Sequence, residues 1–360
     1  MKKILKSIAI IIIIIILCFL IFIFKNEIEN LFVTAKVEIE NYFEIDNQPV
    51  YTEKQIEEIL LADDIEIDGE YTGKLDAYYY EQLDVYSKLI YKSILNNIGK
   101  LIMGDCEIEL SNSLSNLMQK ENGKDEINIA FQNAWSAFRL DHPEVFDINI
   151  KNVYLTTKTT TIGKKTKYEF YLNSKEQKNS NNTNKLNNLV VQKKDEIIKD
   201  LKESDTTTAK ILYIHNWLVD NLKYDVTTQK ENNNNIYGGL IQNVVVCEGY
   251  AKTFKYLLDE VDIPCIIVCG EAVDEDEIGQ KHAWNEVYLN GAWYAIDVTW
   301  DDPIIIGGGK LTNELRYKYF LKGSKEISKN HFENGKMSDD ESEIEFKYPE
   351  LSLEDYKKIV

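Results

Sequence analysis

Three residue types that together make a nucleophilic acyl-transfer site stand in order along the chain: Cys247, His282 and Asp297. A thiol becomes a strong nucleophile when an imidazole takes its proton, and the imidazole needs a carboxylate to fix its tautomer and ring orientation. Cys247 opens "CEGYAKTFKYLLDEV", in which Tyr250, Ala251, Phe254, Leu257, Leu258 and Val261 recur at helical spacing. The cysteine therefore starts a helix and points along its buried side, at the end where unpaired N–H groups concentrate positive potential and favour a thiolate. From this helix alone a core cysteine is the simpler reading, because cysteine is among the most buried residue types.

The other two residues lie on "HAWNEVYLNGAWYAIDVTWDDP", folded around Asn290-Gly291, the strongest short signal for a type I′ hairpin. With Leu289 opposite Ala292, the same register carried outward sets His282 opposite Thr299 and Trp284 opposite Asp297. Paired residues share a face, so these four project together, and His282 and Asp297 become diagonal neighbours about 7 Å apart at Cβ, within reach of a hydrogen bond. The opposite face, with Ala283, Val287, Leu289, Ala292, Tyr294, Ile296 and Val298, reads as core. Trp284, Trp293 and Trp300 are costly on an open strand face and natural as walls of a cleft. Asp301 and Asp302 compete for the carboxylate role, but a turn before Pro303 accounts for them, and Asp297 is preferred.

The elements that must position these groups read as follows. Residues 74–101 carry Leu83, Tyr86, Ile90, Ile94 and Ile98 near helical spacing, and a second helix covers about 128–140, closed by a turn at His142 and Pro143. Residues 153–172 form a hairpin across "TIGKKTK". The Asn-rich stretch 174–188 reads as a loop, followed by an amphipathic helix in "TAKILYIHNWLVDNLKYD" whose His215 is a satisfied helix residue. "CIIVCG" is a buried strand that holds Cys265 and Cys269 about 13 Å apart, too far for a disulfide or a shared zinc. A metal site of Cys247, His282 and one of those cysteines is the weakest reading. The tail from Glu333 to Glu345 is acidic and reads as loose surface.

At the other end, Ile8 to Phe24 is an unbroken apolar run behind Lys2, Lys3 and Lys6, which reads as a single membrane span with the lysines inside. A signal peptide is the rival reading, and the chain shows no small-x-small cleavage pattern after Phe24. The expected organisation is an anchor over 1–24, a stalk over 25–73, an α+β extension over 74–200, the catalytic domain over 201–325 and the tail over 326–360. The net charge of −19 over 360 residues excludes a general nucleic-acid binder.

With these blocks in view, "VCEGYAKTF", "HAWNEVYLNGAWYAIDVTWDDP" and the upstream "YIHNWLVDNLKYD" resemble the bacterial transglutaminase-like domains, relatives of papain-type cysteine proteases. The resemblance runs from Thr207 to Phe320. It implies an α+β, papain/transglutaminase-like core, with a nucleophile helix packed on an antiparallel sheet, and a catalytic triad of Cys247, His282 and Asp297. It further implies acyl transfer through a thioester with no cofactor, and members include cross-linking enzymes, proteases and inactive proteins. The extension, with "HPEVFDI", resembles those of bacterial members and carries no assigned chemistry. The Cys247 N–H is the natural first oxyanion donor, and Tyr237, Tyr250 and Trp284 are candidates for the second or for the cleft wall. The "DEDE" run at 274–277 lacks the spacing of a calcium loop and reads as a solvated connection, or as a rim favouring cationic substrates. The expected partners are the membrane, through residues 4–24, and protein or peptide substrates at the cell envelope. The different-class reading is a non-catalytic surface scaffold.

Overall fold

The computed structural model describes residues 13–14, 25–46, 50–62, 78–148, 150–175, 180–203, 205–274, 278–304, 310–336 and 342–357. The apolar run read as an anchor lies outside these residues apart from Ile13 and Ile14. Among the described residues no helix is long and apolar enough to cross a membrane.

The chain divides into two compact units. The smaller comprises residues 1–50 and 158–169. It contains helix α1 (Lys25–Asp46), on which Leu31, Phe32 and Val33 are all exposed, so no apolar stripe is buried along that stretch.

The larger unit comprises residues 51–157 and 170–360. Its first half is mostly helical. Helix α2 (Glu53–Ala62) falls inside the segment read as a stalk, yet Ile56 and Leu60 are buried. Helix α3 (Val85–Leu95) begins at Asp84, whose side chain accepts from the Tyr86 and Ser87 amides, and α4 (Ile98–Met103) follows. Helix α5 (Gly123–Asp141) ends on Asp141, which accepts from the Tyr79 and Tyr80 amides and the Tyr91 hydroxyl, each at 3.0 Å. Burial pushes Asp141 up to about 7 despite those donors. Strands β1 (Cys106–Glu109), β2 (Val153–Ile162) and β3 (Lys165–Ser174) form a sheet in the order β1-β3-β2, of which residues 158–169 of β2 and β3 belong to the smaller unit. Helix α6 (Ser180–Ile198) stands where the Asn-rich sequence suggested a loop reaching residue 188. Its apolar positions are sparse, but Val190 and Ile197, two turns apart, share a buried face, and tertiary packing overrides the weak local propensity.

The second half positions the site. Helix α7 (Thr207–Asn221), capped by Thr206, packs on α8 (Cys247–Asp259). Between them β4 (Lys223–Tyr224) pairs in parallel with β5 (Val244–Val245). Strands β6 (Cys265–Val273), β7 (Gly279–Leu289), β8 (Ala292–Ile296) and β9 (His331–Glu333) make an antiparallel sheet ordered β8-β7-β6-β9. Val287, Leu289 and Ile296 join Tyr250 and Phe254 of α8 in one core, and the Asn285 amide donates to Ala251 O of α8 at 3.0 Å. Glu286, on the face opposite Asn285, is fully buried and neither of its oxygens has a well-formed hydrogen bond. Burial and the nearby Glu333 carboxyl push it up to about 9.

Two sequence expectations fail here for physical reasons. Positive φ at Asn290 (52°) and Gly291 (88°) makes the expected tight turn, and the register holds from Leu289↔Ala292 to Asn285↔Ile296. The strand then stops. The Asp297 side chain caps a short helix α9 (Val298–Asp301) by accepting from the Thr299 and Trp300 amides, so His282 does not pair with Thr299 and faces Gly270 of β6 instead. A local side-chain cap has outcompeted the ladder. The described residues around the acidic tail are not loose either, while 337–341 lie outside the described residues. β9 pairs with β6, Phe346 is buried, the Tyr348 hydroxyl accepts from the Cys269 amide at 2.9 Å, and the Ser352 amide donates to Trp293 O at 2.9 Å. β9 can approach because residue 270 is glycine: a Cβ there would lie 2.2 Å from Phe332 O and 2.8 Å from the Trp284 ring.

Candidate active site

Cys247 is the first residue of α8 and is partly exposed. The residue before it, Val246, is apolar and makes no side-chain cap, so no side-chain oxygen from the N-cap occupies the first-turn N–H groups. The approach to the nucleophile is held tightly. The Val246 amide donates to Asn233 O at 2.8 Å, and Asp225 collects Thr227 Oγ1, the Lys230 amide and Asn233 Nδ2. Hydrogen bonds from Thr227 and Asn233 hold the Asp225 carboxyl well below the usual range. Gly249 lies against this loop, where a Cβ would meet Asn233 O at 2.5 Å and Val245 Cβ at 2.6 Å. Gly249→Ala should therefore destabilise the fold by about 1–3 kcal/mol in urea titration, whereas an unchanged midpoint would show that the loop yields freely.

His282, on β7, is buried, and its Nε2 lies 2.8 Å from Asp297 Oδ2. The Cys247 thiol is near enough to the ring to add to the effect of Asp297 on it. With Nε2 committed to the carboxylate, Nδ1 is the nitrogen left for the thiol. Burial opposes protonation of His282, but the charge and hydrogen bond of Asp297, with Cys247 adding to them, raise it to about 10. Asp297 is fully buried, and burial is outweighed by His282 and His331, which together hold the carboxyl far below its ordinary range. The imidazole stacks on Trp284 at 6.1 Å and tilts against Trp300 at 5.4 Å. His282 opens onto a cavity of about 380 Å³ that is also lined by Tyr224, Thr299, Trp300, Asp302 and Tyr319.

The structure thus brings Cys247, His282 and Asp297 together, and it commits the competing carboxylates to other partners. Asp301 is hydrogen-bonded to His215 Nε2 at 2.9 Å and accepts from the Tyr319 amide at 2.7 Å, which makes His215 a satisfied helix residue. Asp302 accepts from the Tyr250 hydroxyl at 2.7 Å. Tyr250 is therefore buried and engaged in the core, and Tyr237 stacks on Phe146 at 5.8 Å. Trp284 is the cleft-wall candidate that touches the triad histidine. Asp274 borders the cavity, while 275–277 of the acidic run lie outside the described residues.

Two residues of the site were not read from the sequence. Tyr224 lines the same cavity as His282, and burial, with the Cys247 charge next, pushes its hydroxyl up to about 12. The β4–β5 ladder places it opposite Val245, two residues before the nucleophile. His331 reaches Asp297 from β9. The three residues of β9 are too few to show a strand alternation, and the only hint in the sequence is the apolar Phe346 and Tyr348 downstream.

Among the described residues, the group that could hold a metal ion is His282, Asp297 and His331, with ligand atoms within 4.8 Å of one another. It contains no cysteine. Both Nε2 atoms bond to one carboxylate oxygen, which is a hydrogen-bonded cluster and not three ligands arranged about a common centre. Cys265 and Cys269 are buried and joined in no disulfide, and burial pushes the Cys265 thiol up.

A model of the transglutaminase-like superfamily matches residues 195–298. Kyphoscoliosis peptidase from Homo sapiens is 27% identical over 154 residues, covering 39% of this chain and 23% of that protein. The Mus musculus kyphoscoliosis peptidase is 27% identical over 153 residues, with the same coverage of 39% and 23%. The chain thus spans less than a quarter of the curated relatives it matches. A solved structure described as a TGase overlaps 56% of this chain and 57% of its own at 13% identity, with a TM-score of 0.30. The matched residues hold both the helix that carries Cys247 and the strand that carries His282, so it is this region of the chain, residues 195–298, that is similar to the transglutaminase-like superfamily.

Proposed function

We propose that the chain is a cysteine-dependent acyl-transfer enzyme acting on protein or peptide amide or carboxamide groups. The single observation that carries this reading is the buried His282–Asp297 pair, with Asp297 at 2.8 Å on Nε2 and the Cys247 thiol acting on the same ring. In the reaction, Cys247 Sγ attacks the carbonyl carbon and His282 delivers its proton to the leaving amine. Water or a second amine then resolves the thioester, with His282 acting as base. The Cys247 N–H, free of any N-cap side chain, serves as the first oxyanion donor. Hydrolysis is favoured over cross-linking, since water is the default acceptor unless a site excludes it. The apolar run from Ile8 to Phe24, extended by Ile4 and Leu5, supports anchorage by a single span, with the catalytic domain outside the cell.

The decisive experiment follows modification of the Cys247 peptide by iodoacetamide on the full-length chain. Wild type should react readily at pH 6, and His282→Ala should slow that reaction at least about tenfold while converging with wild type near pH 9.5. A Cys247 that reacts slowly at pH 6 and ignores His282 would leave a non-catalytic scaffold as the reading.

The cavity supports a second expectation. If Tyr224 holds the reacting carbonyl, Tyr224→Phe should lower turnover of a peptide or amine-incorporation substrate by roughly 10–100-fold and leave Cys247 alkylation within about twofold of wild type. Loss of alkylation and turnover together would place Tyr224 in the support of the thiolate instead.

A further inference from the structure

We infer that His331 is a positioning residue for the catalytic carboxylate, and that the site works as a Cys–His–Asp–His chain. The inference rests on the acyl-transfer reading above and adds a fourth member to it. His331 lies on β9, beyond the residues matched by the superfamily model, and pairs with Ala272 of β6. Its side chain is wholly buried, and its Nε2 lies 3.1 Å from Asp297 Oδ2, the same oxygen that binds His282 Nε2 at 2.8 Å.

The surroundings over-determine this placement. The His331 ring meets Trp300 at 4.8 Å, Trp284 at 5.0 Å, Tyr319 at 5.1 Å and His282 at 5.7 Å. Its Nδ1 lies 2.8 Å from Asn330 Oδ1, and Asn330 Nδ2 donates to the Tyr319 hydroxyl at 2.8 Å. The backbone returns to the same place, because the Asp297 amide donates to Tyr319 O at 3.2 Å. A ring fixed on this many sides is expensive to order and needs a reason beyond filling space.

The reason lies in what Asp297 must do. Its Oδ1 accepts from the Thr299 and Trp300 amides at 3.0 and 3.2 Å, which fixes one oxygen. The other oxygen would be free to tilt with the His282 ring alone. A second N–H on Oδ2 holds it in one direction and compensates for burial of the negative charge, so the carboxylate stays ionised in a site where water does not reach it. His331 does not itself line the cavity, and its hydrogen bond to Asp297 is the route by which it acts on His282.

The test uses the full-length chain and the alkylation profile of Cys247 between pH 5 and 9.5. His331→Phe, which keeps an aromatic ring but has no N–H donor, should lower reactivity at pH 6 at least about fivefold and shift the rise in reactivity to higher pH. His331→Gln, whose Nε2 can replace the donor, should stay within about twofold of wild type. A folded His331→Phe with the wild-type profile overturns the inference, as does His331→Gln reacting as slowly as His331→Phe. Where His331→Phe does not fold, His331→Met is compared with His331→Gln: Met matches its length without a donor, and equal profiles overturn the inference. Without any variant, wild type labelled with ¹⁵N-histidine should show protons on Nε2 of both His282 and His331, and an unprotonated His331 Nε2 overturns it. An unreactive wild-type Cys247 at pH 6 removes the acyl-transfer reading itself, so the two failures are distinct. Stoichiometric zinc in the purified protein, whose removal by a chelator changes the profile, would replace the inference with a metal centre.

Discussion

Asp297→Asn should cut turnover by roughly 10³–10⁴-fold and slow Cys247 alkylation at pH 6 at least about tenfold, the largest loss expected outside Cys247 and His282 themselves. The amide is nearly isosteric, so the Oδ1 contacts with the Thr299 and Trp300 amides can persist and the fold should remain. What disappears is the charge that raises His282 to about 10, after its burial has worked in the opposite direction. An amide nitrogen facing either imidazole N–H would also clash donor to donor, forcing one ring to flip or change tautomer. Asp297→Ala should do more. It removes the cap of α9 and leaves buried N–H groups unpaired, so a stability loss of about 3 kcal/mol or more should accompany the lost reactivity. Urea midpoints and alkylation rates separate the two variants. A folded Asp297→Asn that keeps wild-type reactivity at pH 6 would remove Asp297 from the mechanism.

Glu286→Gln should make the protein more stable above neutral pH, by roughly 2–4 kcal/mol at pH 8. Glu286 is buried without a well-formed hydrogen bond, and burial followed by the Glu333 carboxyl raises it from 4.5 to about 9. In the folded state it keeps its proton through a range where the unfolded chain has lost it. Its contribution is therefore fully present below pH 4.5 and is lost as pH rises towards 9, at up to about 1.4 kcal/mol per pH unit. Asp141 (to about 7) and Glu144 (to about 8), both raised chiefly by burial, slope the same way, so wild type should lose stability steadily from pH 5 to 9. The difference between wild-type and Glu286→Gln urea curves isolates one carboxyl. It should be small at pH 5 and widen with pH, and parallel curves would show that Glu286 titrates normally.

The chemistry of the site was more legible in the sequence than its framing. Helical spacing after Cys247 and the Asn-Gly turn each report local, strongly periodic signals, and both place their residues where the structure has them. The register read outward from Leu289–Ala292 is right to Ile296 and wrong at the next residue, because an aspartate can end a strand by capping the residues after it. That misreading still set His282 near Asp297, since the capping turn swings the carboxylate back towards β7. His331 was missed for the opposite reason. Its partner strand is about 60 residues earlier in the chain, and an acidic stretch with only a few apolar residues carries no periodic signal for so distant a pairing. The α6 helix was missed because Val190 and Ile197 draw their burial from elements distant in sequence.

The place of β9 on the outer edge of β6 has a consequence for the order of biosynthesis. A chain leaving the ribosome N-terminus first presents Cys247, His282 and Asp297 well before His331, and domains fold largely as their last pairing segment emerges. Until then the Gly270–Ala272 edge of β6 is an open ladder, and Asp297 lacks one of its two imidazole donors. Nascent chains stalled short of residue 330 should therefore carry a Cys247 that alkylates slowly at pH 6, so that a reactive thiol is withheld until the polypeptide can bury its own sheet edge.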